Sequence, residues 1–166
     1  MDAVAASCAH IEKALGKSNA FRKVEDRLYV IKQGSTYVMI SVLPIGSKNH
    51  RSDKAVVRLV SQVVCDVRPE PSLFRQLLIL NGQLRFGAFA YAPDGNLVLF
   101  CHSILGGVDM DEHEIVASVR DVALVADDYD DRIVARYGGA RMQDVIEQSA
   151  MQHLFGGDVD KLDGDL

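Results

Sequence analysis

Residues 84–136 constrain this chain more than any other stretch, because they spell a hairpin that feeds one long helix. Leu84–Tyr91 (LRFGAFAY) and Leu97–Ser103 (LVLFCHS) are apolar and aromatic runs of strand length. Between them, Pro93-Asp94-Gly95 supplies a fixed φ and then a residue free to take φ > 0, which is the chemistry of a tight turn. Gly106 and Gly107 break the pattern, and Asp111 with Glu114 offers a capping box for a helix start. Beyond it Ile115, Val119, Val122, Ala126, Tyr129 and Ile133 recur at spacings of four and three. That is a single apolar stripe along a helix of about six turns. Gly138 and Gly139 end it.

The rest of the chain supplies elements of the same kind. Val4, Cys8, Ile11 and Leu15 form the stripe of an amphipathic first helix closed by Gly16. Leu28–Ile31 and Tyr37–Leu43 are β-prone runs separated by Gln33-Gly34-Ser35, a second hairpin. Tyr37–Leu43 is apolar on both faces, so one face can pack on helices while the other needs a sheet, a second subunit or a ligand. Ala55–Cys65 is β-branched and fits a third strand, with Arg58, Val60 and Gln62 on one face. Pro69-Glu70-Pro71 stops it, Ser72 offers a cap, and Leu73–Leu80 makes a short helix ending at Asn81-Gly82. Arg141–Leu154 forms one more helix through Met142, Val145, Ile146, Ser149 and Leu154. Gly46–Asp53 is a polar, basic stretch expected to be a mobile loop.

The order is helix, three strands, helix, two strands, long helix, short helix. Strands joined by tight turns pair antiparallel, so the expected fold is α+β, with a five-stranded antiparallel sheet and helices. A single domain over residues 1–155 is expected, followed by an acidic, disordered tail at 156–166.

Composition narrows the function classes. A chain of 166 residues, 48% hydrophobic and 25% charged, can bury a core without staples. Its net charge of -5 argues against a nucleic-acid surface and against an anionic membrane. Cys8, Cys65 and Cys101 make an odd count without CxxC spacing, as expected for reduced thiols in the cytoplasm. No signal-peptide pattern opens the sequence, and no apolar run is long enough to span a membrane.

No catalytic or metal-binding constellation stands out. Asp109, Asp111, Glu112 and His113 gather potential ligands, but acidic residues in a first helical turn already answer the helix dipole. Asp127, Asp128, Asp130 and Asp131 flank Tyr129 and read as a solvated helix face. The tail motif around Asp158, Asp160 and Asp163 lacks the later ligands of a calcium loop. His102 lies beside Cys101 and Ser103, yet no nucleophile elbow surrounds them. No metal and no cofactor is therefore expected.

With this layout in hand, the chain resembles the type III secretion chaperone-like (CesT-like) fold, and within it the YbjN-type proteins. The residues that carry the resemblance are Phe86–Tyr91, Gly95–Leu105, Asp111-Glu112 and Ala126–Asp130. The resemblance implies a non-enzymatic, often dimeric protein that binds a peptide segment or another protein. Arg141–Leu154 is an addition that would cover a surface such chaperones leave open. The leading expectation is thus a protein- or peptide-binding module using a sheet face or strand edge, whose partner is a peptide, a protein or a second copy. Tyr37, Met39, Ser41 and Leu43 share one face of their strand, and Phe89 and Tyr91 share one face of theirs; these are the expected contact surface. The alternative is a small enzyme or ligand-binding regulator with a pocket between sheet and long helix, in which polar groups such as His102 and Asp109 converge.

Overall fold

A computed structural model of the chain describes residues 2–46 and 53–155. The expected loop at Gly46–Asp53, apart from its two ends, and the expected tail at 156–166 lie outside the described residues. The chain forms one antiparallel sheet with helices. Helix α1 (Ala3–Leu15) is followed by strands β1 (Phe21–Glu25), β2 (Leu28–Gln33), β3 (Thr36–Pro44) and β4 (Ala55–Cys65). Then come α2 (Pro71–Asn81), β5 (Ala88–Ala92), β6 (Leu97–Gly106), α3 (Glu112–Tyr137), β7 (Ala140–Arg141) and α4 (Met142–Phe155). The strand order is β1-β2-β3-β4-β6-β5, with β7 pairing on β4.

The sheet therefore has seven strands, where five were expected. Both extra strands lack a hydrophobic signature. In β1 only Phe21 and Val24 are apolar, and four of its five residues are exposed, so hairpin pairing to β2 alone makes it a strand. Strand β7 is two residues long and pairs Ala140 and Arg141 with Cys65 and Val64. The fourth expected strand is also shorter: Leu84–Gly87 stays off the sheet, and pairing to β6 begins at Ala88. Gly87, at φ 64°, lies so close to Phe100 that a Cβ there would stand 2.6 Å from Cζ of that ring.

The helix ends follow local chemistry. Asp2 and Asp111 cap α1 and α3 by accepting from the N–H of Val4 and of His113. Helix α2 starts with Pro71 in its first turn after Glu70; Ser72 is not the cap, and its hydroxyl instead donates to Glu70. Gly138 ends α3 at φ 74° and bonds back to the Val134 carbonyl. Gly139 follows at φ 91° and packs against the Cys65 carbonyl, leaving no room for a Cβ.

Packing explains why these elements hold together. Helices α1 and α3 cover one side of the sheet, with Ile11, Leu15, Ile115, Val119, Val122, Ala126 and Ile133 buried against the strands. The expected α3 stripe is the buried one, with Tyr129 half-buried and packed edge-on against Phe89. Polar bonds pin α1 to its neighbours: Lys13 Nζ to Glu112 at 2.6 Å, and the Tyr29 hydroxyl to Glu12 at 3.0 Å. Helix α4 is different. None of residues 142–151 is buried, and it leaves the body behind Arg141, whose guanidinium pairs with Asp144 at 2.8 Å and Asp131 at 3.3 Å.

Candidate functional site

The register of the sheet sorts its residues into two faces. Tyr29, Ile31, Val38, Ile40, Val42, Val57, Leu59, Phe100 and Phe89 lie toward the helices and are buried. Their alternate neighbours lie on the other face. One cross-strand row there runs Arg22, Val30, Met39, Val60, Cys101 and Ala88. The next row runs Glu25, Leu28, Ser41, Arg58 and Ser103, and the one after it Leu43, Val56 and Leu105. No described element covers the middle of this face: Met39 is 39% exposed, Leu43 44% and Leu105 65%. Helix α4 reaches only its corner, where Met142 and Gln143 approach Tyr37 and Gln62.

Tyr37, Met39, Ser41 and Leu43 thus share the open face, as their strand periodicity requires. Phe89 and Tyr91 do not join them. Phe89 is only 5% exposed and packs edge-on against Phe100 at 5.1 Å and Tyr129 at 5.3 Å. Tyr91 packs on Phe74 of α2 at 5.0 Å, and its hydroxyl donates to Asn96. These two aromatics belong to the helix-covered side, because the register pairs them with Phe100 and Val98. The expected contact surface is therefore split between opposite faces.

The open face also carries cations that composition alone did not single out. Arg22, Lys32 and Arg58 all lie on it, and among the described residues none of the three is paired with a carboxylate. Arg22 donates to the carbonyls of Asn19 and Phe21, Lys32 stands 5.5 Å from the Tyr37 ring centre, and Arg58 Nη2 lies 3.7 Å from Cys101 Sγ. A shallow hollow of about 320 Å³ at the β1–β2 corner adds Arg27 to Leu28, Ser41 and Leu43, with Glu25 and Asp26 at its rim. Acidic residues concentrate on the helix side, where α3 carries Glu112, Glu114, Asp121, Asp127, Asp128, Asp130 and Asp131. Burial, reinforced by the charges of Asp131 and Asp127, pushes the Asp130 carboxyl above its ordinary range. The Arg141 guanidinium holds Asp144 below it.

Both edges of the sheet are guarded. At the β5 edge, Asn81 at the end of α2 accepts from the Phe89 N–H at 2.7 Å and donates to the Phe89 carbonyl at 3.0 Å. One amide side chain thereby occupies the backbone groups that an added strand would need. At the β1 edge, Arg22, Lys23 and Glu25 place charge along the strand, and a register shift between Lys23 and Glu25 interrupts its pairing. Asn81 read in the sequence only as a helix terminator; its second role exists only once β5 lies beside it.

Between sheet and long helix the described residues pack into one hydrophobic core. Where α3 meets the β2–β3 turn, a cavity of about 10 Å³ lined by Thr36, Tyr37, Val63, Ala126 and Asp130 has room for one water molecule. His102 and Asp109 do not converge: the imidazole packs on Phe86 at 5.2 Å, and Asp109 is exposed and pairs with Lys54 at 3.3 Å. The acidic cluster at the start of α3 is committed to capping and to Lys13. Among the described residues no group of three or more His, Cys, Asp or Glu is placed to hold a metal ion. Burial raises the Cys65 thiol pKa, and its Sγ bonds to the Ala140 carbonyl. Among the described residues no helix is long and apolar enough to cross a membrane.

The fold is similar to that of a solved structure. A chain in the crystal structure of the ExsC–ExsE complex superposes with a TM-score of 0.57 at 15% identity, covering 80% of this chain and 97% of that one. A chain of the ExoT–SpcS complex from Pseudomonas aeruginosa gives a TM-score of 0.42 at 10% identity, covering 77% of this chain and 98% of that one. Among curated proteins none matches this sequence. The family model described as "T3SS (YopN, CesT) and YbjN peptide-binding chaperone 1" matches residues 5–145, nearly the whole of the folded chain. The chain therefore belongs to the TY-Chap1 family of peptide-binding chaperones.

Proposed function

We propose that this protein binds an extended peptide segment, without catalysis, across the open face of its sheet. The observation that carries this reading is the uncovered row of Val30, Met39, Val60 and Cys101, with a second apolar row of Leu43, Val56 and Leu105 beyond the row of Ser41 and Arg58. Two uncovered apolar rows on one sheet face are the kind of surface that marks an interaction site. Guarded edges favour the face over strand addition, and Tyr37, Met39 and Leu43 are the contact residues we assign to it. The separation of His102 from Asp109 and membership of a peptide-binding chaperone family support a non-catalytic role. Three free cysteines suit the cytoplasm as its compartment.

The test is selection of random peptides on the full chain, followed by titration of the enriched peptides against Met39→Glu and Leu43→Glu. Both variants are expected to keep the wild-type far-UV spectrum and to lose at least about tenfold in affinity, since a carboxylate in an apolar contact is left unpaired. Unchanged affinity in both would sink the reading.

A second copy is the further partner we assign, on a different surface. Leu78, 72% exposed, and its neighbour Ile79 are exposed apolar side chains on the outer side of α2, beside Arg75 and Gln76. Light scattering should show a dimer that Leu78→Lys dissociates; a monomer at all concentrations removes this assignment without touching the peptide-binding face.

A further inference from the structure

Resting on the peptide-binding reading, we infer that the segment taken by the open face is acidic as well as apolar: about six extended residues, apolar over Met39 and Val60, with carboxylates on its flanks. The placement of the cations carries this. Arg22 stands at the end of the row Val30, Met39, Val60 and Cys101, in register with it. Arg58 lies in the row on one side of it, and Lys32 in the row on the other. Strands about 4.8 Å apart make the row from β1 to β6 about 19 Å long, which an extended chain at about 3.3 Å per residue spans in six residues. A segment crossing the strands there meets apolar side chains beneath it and a guanidinium or ammonium within reach on either flank.

Arg22 donates to the carbonyls of Asn19 and Phe21 and Lys32 stands over the Tyr37 ring, contacts that leave their charge without an anion. Among the described residues none of the three cations is paired with a carboxylate, and Arg58 stands on β4 between Ser41 and Ser103, with its Nη2 against the Cys101 thiol. An arginine there lowers the affinity of a purely apolar segment, because its charge loses water without gaining a partner. A carboxylate reverses that cost, through a charge-assisted hydrogen bond. The contrast with the whole chain sharpens the point: its net charge is -5, yet the open face is locally basic except at the corner with Glu25 and Asp26.

Three labelled heptapeptides test this by fluorescence anisotropy on the full-length protein: leucine and valine alternating with glutamate, with glutamine, or with lysine. The acidic peptide is expected to bind about tenfold tighter than the glutamine one at low salt, because exposed ion pairs are each worth only a few-fold. The lysine peptide binds weakest, and the spread narrows as salt shortens the Debye length. Arg22→Glu with Arg58→Glu inverts the order; Arg22→Gln with Arg58→Gln, a gentler change, flattens it. Equal affinity for acidic and glutamine peptides overturns the inference and leaves the peptide-binding reading intact. Failure of all three to bind at any salt overturns both. Two results assign the face to another occupant and so overturn a separate acidic segment. One is dimerisation that Arg58→Glu abolishes. The other is a general rise in affinity when Asp158, Asp160, Asp163 and Asp165 are changed to asparagine, which places the chain's own tail on the face.

Discussion

Ile40 and Met39 are neighbours on one strand, equally apolar, and they meet opposite fates. Ile40 is fully buried under the helices, while Met39 is 39% exposed on the open side. The same contrast extends across the sheet, where Leu59 and Phe100 are sealed and Val60 and Cys101 are only half-buried. Both faces carry apolar side chains, although the open one also holds Arg22, Lys32, Ser41, Arg58 and Ser103, so an apolar residue does not by itself mark the core. What separates them is which face α1 and α3 cover. A covered face converts its apolar area into stability; an uncovered one keeps that area available for a partner.

That contrast can be broken at several points. Phe89→Ala should be the most damaging change, costing about 3–5 kcal/mol in a urea melt. A near-silent Phe89→Ala would return that ring to the contact surface and undo the assignment of faces. Ile40→Ala should cost about 2–5 kcal/mol, whereas Met39→Ala should stay within about 0.5 kcal/mol, as exposed sites do. Similar losses for the two would mean that the open face is covered in solution. Asn81→Ala removes both bonds at the β5 edge and should cost about 1–3 kcal/mol. It should also raise self-association seen by sedimentation, and a strictly unchanged association state would show that Asn81 does not guard that edge.

The smallest effect concerns pH. Burial, with Asp131 and Asp127 adding to it, raises the Asp130 pKa in the folded chain, so near neutrality its buried charge weighs against folding. As pH falls, the folded state takes up the proton before the unfolded one does. The penalty therefore fades between the raised folded value and the ordinary carboxylate range near about 4. Asp130→Asn should stabilise at pH 7 by about 0.5 kcal/mol or less, with the gain closing toward pH 4. A gain that instead widens in acid would contradict the sign of the shift. Asp144 runs the other way: its pKa is depressed by Arg141, so its contribution is lost as pH drops through the folded value.

Much of this fold was legible residue by residue. The α3 stripe, its Asp111 cap and its glycine end all lie in local patterns, and so does the turn before β6. Strand β1 was not legible, because Arg22, Lys23 and Glu25 break any apolar alternation and only pairing defines it. The candidate site was half legible. Alternation groups Tyr37, Met39, Ser41 and Leu43 correctly, but alternation has no sign: it cannot say which group the helices will cover. For β5 the aromatic set Phe89 and Tyr91 looked like a contact surface, although bulky rings on one face of a short strand serve equally well as core. Asn81 and the basic flanks Arg22 and Arg58 depend on residues distant in sequence, so no local pattern announced them.

The separation of charge between the two sides bears on kinetics. The carboxylates of α3, which outnumber its arginines Arg120, Arg132 and Arg136, lie on the opposite side of the sheet from Arg22, Lys32 and Arg58. An anionic partner diffusing toward the molecule is turned before touching, repelled by the helix layer and drawn to the strands. Salt then slows capture far more than it hastens release, since steering acts on the encounter while apolar contact sets the residence time.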